Sequence, residues 1–305
     1  MSRKAVLCIT LFVLMALNHN YAEAKPKVLI YPIEVSGKIL DKDGNIFTGQ
    51  TEVKLDVSTD TIDMAARPGS GLEESSETKV YTIPTQAGTF SWTGEGSDLS
   101  IEAVKEGYHS TMVTIYDDGK TVKSSDILIY LIPKGTPSKL EYTENADIPD
   151  KTDPKSGGKD CGWSFTKRWY FPVAEEETAW MTLSFNEKGD AVYTMKEPGG
   201  FIWYPGYPQF ESKPNELSAS FEWMTEAPET GYVQTFTPID HYYRPNVGQE
   251  IYCYFRTPDG KYGKICFSGR FDYYLQPDGT RNLEAGEIVK KYPINPIEAN
   301  RHKGY

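Results

Sequence analysis

The chain has 305 residues, a net charge of −11 and a pI near 5.0, and no Lys/Arg cluster supplies the basic face that nucleic-acid binding needs. Aromatic residues make up 13%, Gly and Pro number 26 and 20, and long helical periodicity is missing. That combination predicts an all-β protein, long enough for two domains.

Residues 1–24 read as a secretory signal peptide. Arg3 and Lys4 form its charged start, and Ala5 to Leu17 its apolar core, too short for a stable membrane span. Ala22-Glu23-Ala24 supplies the small-x-small cleavage site, with Ala22 and Ala24 as the small residues. The mature chain is therefore expected to be exported, to a bacterial periplasm, the cell surface or the medium, with no transmembrane segment. It keeps Cys161, Cys253 and Cys266, an odd count that leaves at least one thiol over or pairs it with another chain. No Asn-x-Ser/Thr acceptor site occurs, which favours a bacterial envelope protein.

The first domain is expected over 25–135. Short alternating strands fall at 33–40, 51–57, 79–83, 89–93, 99–104, 111–116 and 126–132, separated by turn signals. Seven such strands predict a β-sandwich. Ser58 to Glu77 is polar, with Pro68, Gly69 and Gly71, and reads as a long mobile loop. Asp41, Asp43 and Asn45 lack the distal carboxylate of a calcium loop and read as a plain turn.

The spacing Val35-x-Gly37-x-Ile39-x-Asp41-x-Asp43-Gly44, then Thr85-x-x-Gly88-x-Phe90, then Lys105-x-Gly107-Tyr108, resembles the carboxypeptidase regulatory-like domain. The closing segment Asp126 to Gly135 resembles that family's last strand. The resemblance covers about a third of the chain and rests on turn glycines and core apolars. It implies a small transthyretin-like β-sandwich that accompanies other proteins as an accessory or spacer module and has no active site of its own.

Residues 136–160 hold prolines, glycines and many charges with few large apolar residues, and read as a semi-extended tether or a strap along one domain, with the boundary near residue 155. The second domain, 161–285, carries five of the six tryptophans and a further series of alternating strands. An antiparallel β-domain, either a second sandwich or a small barrel, is expected there. Residues 286–305 read as a loosely held polar tail. Segments of this half, Tyr254 to Ile265 and Leu275 to Glu284, resemble uncharacterised exported bacterial proteins, which implies no activity.

The strongest local signal is Ile251 to Phe267, read as one hairpin around Thr257-Pro258-Asp259-Gly260. A two-residue loop would ask Pro258 for a ladder N–H that it lacks. A three-residue loop closed by a Gly bulge pairs Thr257 with Lys261 instead. Ile251, Cys253 and Phe255 then share an apolar face with Gly263, Ile265 and Phe267. Tyr252, Tyr254 and Arg256 share a polar or amphipathic face with Tyr262, Lys264 and Cys266. Cys253 and Cys266 fall on opposite faces, so any intrachain bridge would use Cys161.

No catalytic constellation stands out. His109, His241 and His302 have no metal-ligand spacing, so neither metal nor cofactor is expected. Asp240-His241 are neighbours whose side chains point apart on a strand, and Glu175-Glu176-Glu177 reads as a charged turn. Phe201 to Pro208 is the one suggestive stretch. Trp203, Tyr204 and Tyr207 exposed together would suit sugar rings or proline-rich peptides, whereas buried they would cap the core. The sequence thus points to a non-enzymatic envelope protein with a binding or structural role, its partner a polysaccharide or an envelope protein. The rival readings are a hydrolase-like second domain using Asp240, His241 or Glu250 near Arg256, and a piece of a surface assembly docking its acidic surface on a basic partner.

Overall fold

A computed structural model of the chain describes residues 27–63, 73–116, 121–149, 152–153, 160–172, 180–241 and 250–292. The expected signal segment with Ala22 and Ala24, the Glu175–Glu177 turn and His302 lie outside these residues. The protein is all-β, and its only helical pieces among the described residues are two 3-10 turns, Phe221–Trp223 and Pro238–His241. No described helix is long and apolar enough to cross a membrane.

The chain divides into two compact units, the first holding 1–104 and 112–129, the second 105–111 and 130–305. In the first unit, β1 (Lys27–Leu29), β2 (Tyr31–Asp41), β3 (Glu52–Asp63), β4 (Glu73–Pro84), β5 (Thr89–Gly96) and β6 (Asp98–Val104) follow in order. After β7 (Tyr108–Ser110) come β8 (Met112–Tyr116) and β9 (Val122–Pro133). One sheet runs β1-β3-β6-β8 with β4 on the other side of β3, and the second places β2 between β5 and β9. Ile33, Val35 and Ile39 of β2 meet Val53, Leu55, Val57, Leu99, Ile101 and Ile127 in the core, all at most 4% exposed. Each such side chain contributes about 1.5–3 kcal/mol by leaving water. The seven expected strands are β2–β6, β8 and β9. Gly37 is required because a Cβ there would strike the carbonyl oxygen of Ile127.

The polar stretch 58–77 is not all loop. Ser58 to Asp63 pairs residue by residue with Thr78 back to Glu73, so β3 and β4 form one long hairpin arm. Both of its faces are largely solvated there, so the strand carries no apolar alternation and looks like a loop in sequence. Residues 64–72 of that stretch lie outside the described residues.

The second unit adds β10 (Ser138–Ala146), β11 (Cys161–Ser164), β12 (Trp169–Pro172), β13 (Met181–Phe185), β14 (Ala191–Met195) and β15 (Gly200–Tyr204). The short β16 (Tyr207–Pro208), β17 (Leu217–Ser218) and β18 (Thr235–Phe236) precede β19 (Ile251–Arg256), β20 (Tyr262–Phe267), β21 (Phe271–Leu275) and β22 (Ala285–Lys291). A six-stranded sheet, β15-β19-β20-β21-β10-β22, and a five-stranded one, β12-β11-β13-β14-β18, enclose a shared core. Of the two expected architectures this is the sandwich. Phe165 stacks on Phe255 with centroids 4.5 Å apart, and the Tyr273 hydroxyl donates to the Phe165 carbonyl at 3.1 Å.

Two segments depart from expectation. The tether over 136–160 supplies β10, an inner strand with Leu140, Thr143 and Ala146 at most 1% exposed. A bulge between Thr143 and Ala146 breaks its alternation. Asn145 sits there at φ +54° and donates its N–H to the Asp272 carboxylate at 2.7 Å. The start of the expected polar tail is β22, which pairs in parallel with β10 from Ser138↔Ala285 to Thr143↔Lys291. Lys139–Glu287 and Lys290–Glu144 ion pairs, each 2.8 Å, run along that seam. Residues 293–305 lie outside the description.

The hairpin at 251–267 has the bulged register. Cys253 pairs with Ile265 and Arg256 with Tyr262, and the Thr257 N–H donates to the Lys261 carbonyl at 2.8 Å. Gly260 closes the turn at φ +86°. Side-chain oxygens brace three such turns alike: Asp41 accepts the N–H groups of Asp43 and Asn45, Asn186 those of Lys188 and Asp190, and Thr257 that of Lys261.

Candidate functional site

The aromatic stretch 201–208 does not form one platform. On β15, Trp203 pairs with Cys253, and Tyr204 pairs with Tyr252. Successive strand residues point to opposite faces, so Trp203 and Tyr204 are parted by the sheet. Trp203 is 38% exposed at the sheet edge. Tyr204 turns into a ring cluster with Tyr207 and Tyr254, centroids 6.4 and 5.6 Å away. Burial pushes its hydroxyl well above the ordinary tyrosine range. Tyr207 packs on Tyr130 at 4.6 Å and on Trp223 at 6.0 Å. Tyr204 and Tyr207 therefore cap a secondary core, and only Trp203 is substantially presented to solvent.

That secondary core explains the hairpin's other face. Tyr252, Tyr254 and Cys266 are covered by Leu140, Met224, Ala227 and Leu283, with Phe221 and Tyr274 against them. The face read as polar or amphipathic is buried, because chain from 221–227 and 281–284 folds over it. Lys264 lies beneath this cover, 2% exposed. Its ammonium donates to three backbone carbonyls, Phe221 at 2.7 Å, Met224 at 3.2 Å and Leu283 at 2.8 Å. Burial lowers its pKa to about 8, opposed by the negative charges of Glu284 and Glu222. All three donors are engaged, so Lys264 fastens two irregular segments to the hairpin. A lone lysine between Gly263 and Ile265 was the only sequence sign of it.

The acids and imidazoles fall elsewhere than the hydrolase reading placed them. Asp240 is exposed in the 3-10 turn Pro238–His241, and the side chain of His241 lies outside the description. Glu250 accepts the Tyr252 hydroxyl at 2.6 Å, and Arg256 lies over the Tyr262 ring at 5.7 Å. The close acid–imidazole contact is one that sequence separation hid. His109 Nε2 meets both carboxylate oxygens of Glu284, at 3.0 and 3.1 Å. Glu284, with its side chain 7% exposed, also accepts the Gly135 N–H at 3.0 Å, and its carbonyl accepts the Ser138 hydroxyl at 2.8 Å. The pair clasps β7 and the 134–138 segment to the entry of β22.

Cys161, Cys253 and Cys266 are buried, and no disulfide joins them. Burial raises the thiol of Cys253 well above its ordinary range and that of Cys266 to about 12. Among the described residues no group of three His, Cys, Asp or Glu could hold a metal ion. Asp41 has its carboxylate occupied by the turn, and the backbone hydrogen bond from Asn45 holds its pKa down.

No protein-family model and no curated protein matches the sequence. Among solved structures the chain is similar to a Streptococcal ancillary pilin, at 14% identity and a TM-score of 0.21. The match covers 86% of this chain and 62% of the pilin chain, so this chain spans less than two thirds of that protein's length.

Proposed function

We propose that this chain is an exported, non-enzymatic envelope protein whose role is structural support or binding, built as an accessory sandwich of the carboxypeptidase regulatory-like kind followed by a second, aromatic-rich sandwich. The observation that supports this reading is where the buried ionic groups of the second unit direct their hydrogen bonds. Lys264 donates to three backbone carbonyls, and Glu284 accepts a backbone N–H and an imidazole. Groups held in this way fix chain geometry, and Lys264 has no N–H left to offer a substrate. A hydrolytic alternative would have to centre on His109 and Glu284, since Asp240 is exposed and Glu250 is engaged by Tyr252.

The test has two arms. Expressed with a C-terminal tag in a bacterial host, the chain is expected in the extracytoplasmic fraction with a new N-terminus following Ala24. Retention in the cytoplasm at full length would refute export. The purified mature protein, offered ester, peptide and glycoside substrates, is expected to show no turnover. Turnover abolished by His109→Ala, with the fold retained, would refute the non-enzymatic reading.

A further inference from the structure

We propose that β4 is a dimerisation edge, pairing antiparallel with β4 of a second copy of this chain about a two-fold axis at Thr78. Among the described residues β4 pairs with β3 alone, while β6 and β1 occupy the opposite side of β3. No described strand therefore pairs with its outer row of backbone N–H and C=O groups anywhere from Glu73 to Pro84. A long open edge is a template for a further strand. Val80 and Tyr81, 60% and 40% exposed, place large apolar side chains on it.

The strand's own charges select the partner and the register. Residues directly opposite in an antiparallel pair have the same hydrogen-bonding state, so a symmetric pairing must centre on a residue and not between two. Centring on Thr78 overlaps the strands from Glu73 to Ile83 and sets Glu77 opposite Lys79 twice, once on each side of the axis. Val80 then faces Ser76, and Tyr81 faces Ser75. Moving the axis by one residue sets Glu77 against Glu77 or Lys79 against Lys79, and like charges directly opposite are unfavourable. An isolated lysine on an edge strand repels its own copy. A lysine two residues after a glutamate complements it.

The test uses the full mature chain, whose native thiols are all buried and leave a low background. Thr78→Cys is expected to form an interchain disulfide under mild oxidation, because Cα atoms opposite each other at the axis lie about 4.5–5.5 Å apart. Ser76→Cys and Val80→Cys are expected to form no interchain disulfide alone and to cross-link when mixed. By sedimentation velocity, Lys79→Glu is expected to weaken dimerisation roughly tenfold or more, and the exchange Glu77→Lys with Lys79→Glu to restore it. A folded Thr78→Cys chain that remains monomeric under oxidation, or a Ser76→Cys chain that cross-links alone as readily, would overturn the proposal.

Discussion

Replacing Lys264 with methionine tests how the second unit is fastened. The ammonium makes hydrogen bonds of 2.7, 3.2 and 2.8 Å to the carbonyls of Phe221, Met224 and Leu283. Methionine fills most of the volume but donates nothing, leaving the Met224 and Leu283 carbonyls unsatisfied at about 1–3 kcal/mol each, while the Phe221 carbonyl keeps the Met224 N–H. Against that loss stands the cost of holding the charge under cover. A pKa lowered from 10.5 to about 8 corresponds to about 3 kcal/mol at neutral pH. The expected net change at pH 7 is therefore small, between about 1 kcal/mol of stabilisation and about 3 kcal/mol of destabilisation, read from urea or thermal unfolding.

The pH dependence gives the sharper readout. Between about pH 8 and 10.5 the unfolded chain holds the Lys264 proton and the folded chain has released it. Stability from this group therefore rises with pH across that window. The gap between the native protein and Lys264→Met is expected to widen by about 3 kcal/mol from pH 7 to pH 10.5. Cys253 and Cys266, whose thiols burial raises, act in the opposite sense as pH rises, but they do so in both proteins and cancel in the difference. A gap that stays constant or narrows would refute the account of Lys264 as a buried charge on three carbonyls.

Gly263→Ala is expected to lower stability by about 1–3 kcal/mol or more in the same unfolding assay, because a methyl group there meets the Phe255 ring and the Tyr274 carbonyl oxygen. His109→Ala removes the imidazole from a carboxylate that keeps only the Gly135 N–H, and an expected loss of about 2–4 kcal/mol should be largely relieved by adding Glu284→Gln. Thiol titration of the mature protein is expected to find no reactive cysteine until denaturant is added, and then three, in the absence of any reductant.

The parts of the fold legible in sequence were those whose local chemistry agrees with their tertiary setting. The 251–267 register followed from one missing proline N–H and from face alternation, and the structure has that register. The parts that were not legible depend on distant chain. Lys264 reads as a solvated lysine until 221–224 and 283 cover it. β10 hides behind its bulge at 143–146, and β22 behind exposed charges that form ion pairs along the seam and leave no apolar alternation to read. Trp203, Tyr204 and Tyr207 look contiguous in the sequence, but strand alternation parts Trp203 from Tyr204, whose ring packs with Tyr207.

The pairing of Tyr142 with Tyr274 on one side and Lys290 on the other has a consequence for biosynthesis. Ribosomes release chain from the N-terminus, so β10 emerges long before either of its neighbours exists. Until β21 and β22 leave the exit tunnel, both backbone edges of that segment are available to other chains. Contacts spanning so much sequence form slowly. A nascent protein of this design is exposed to misassociation throughout that interval, so holding it unfolded until synthesis ends would favour its correct folding.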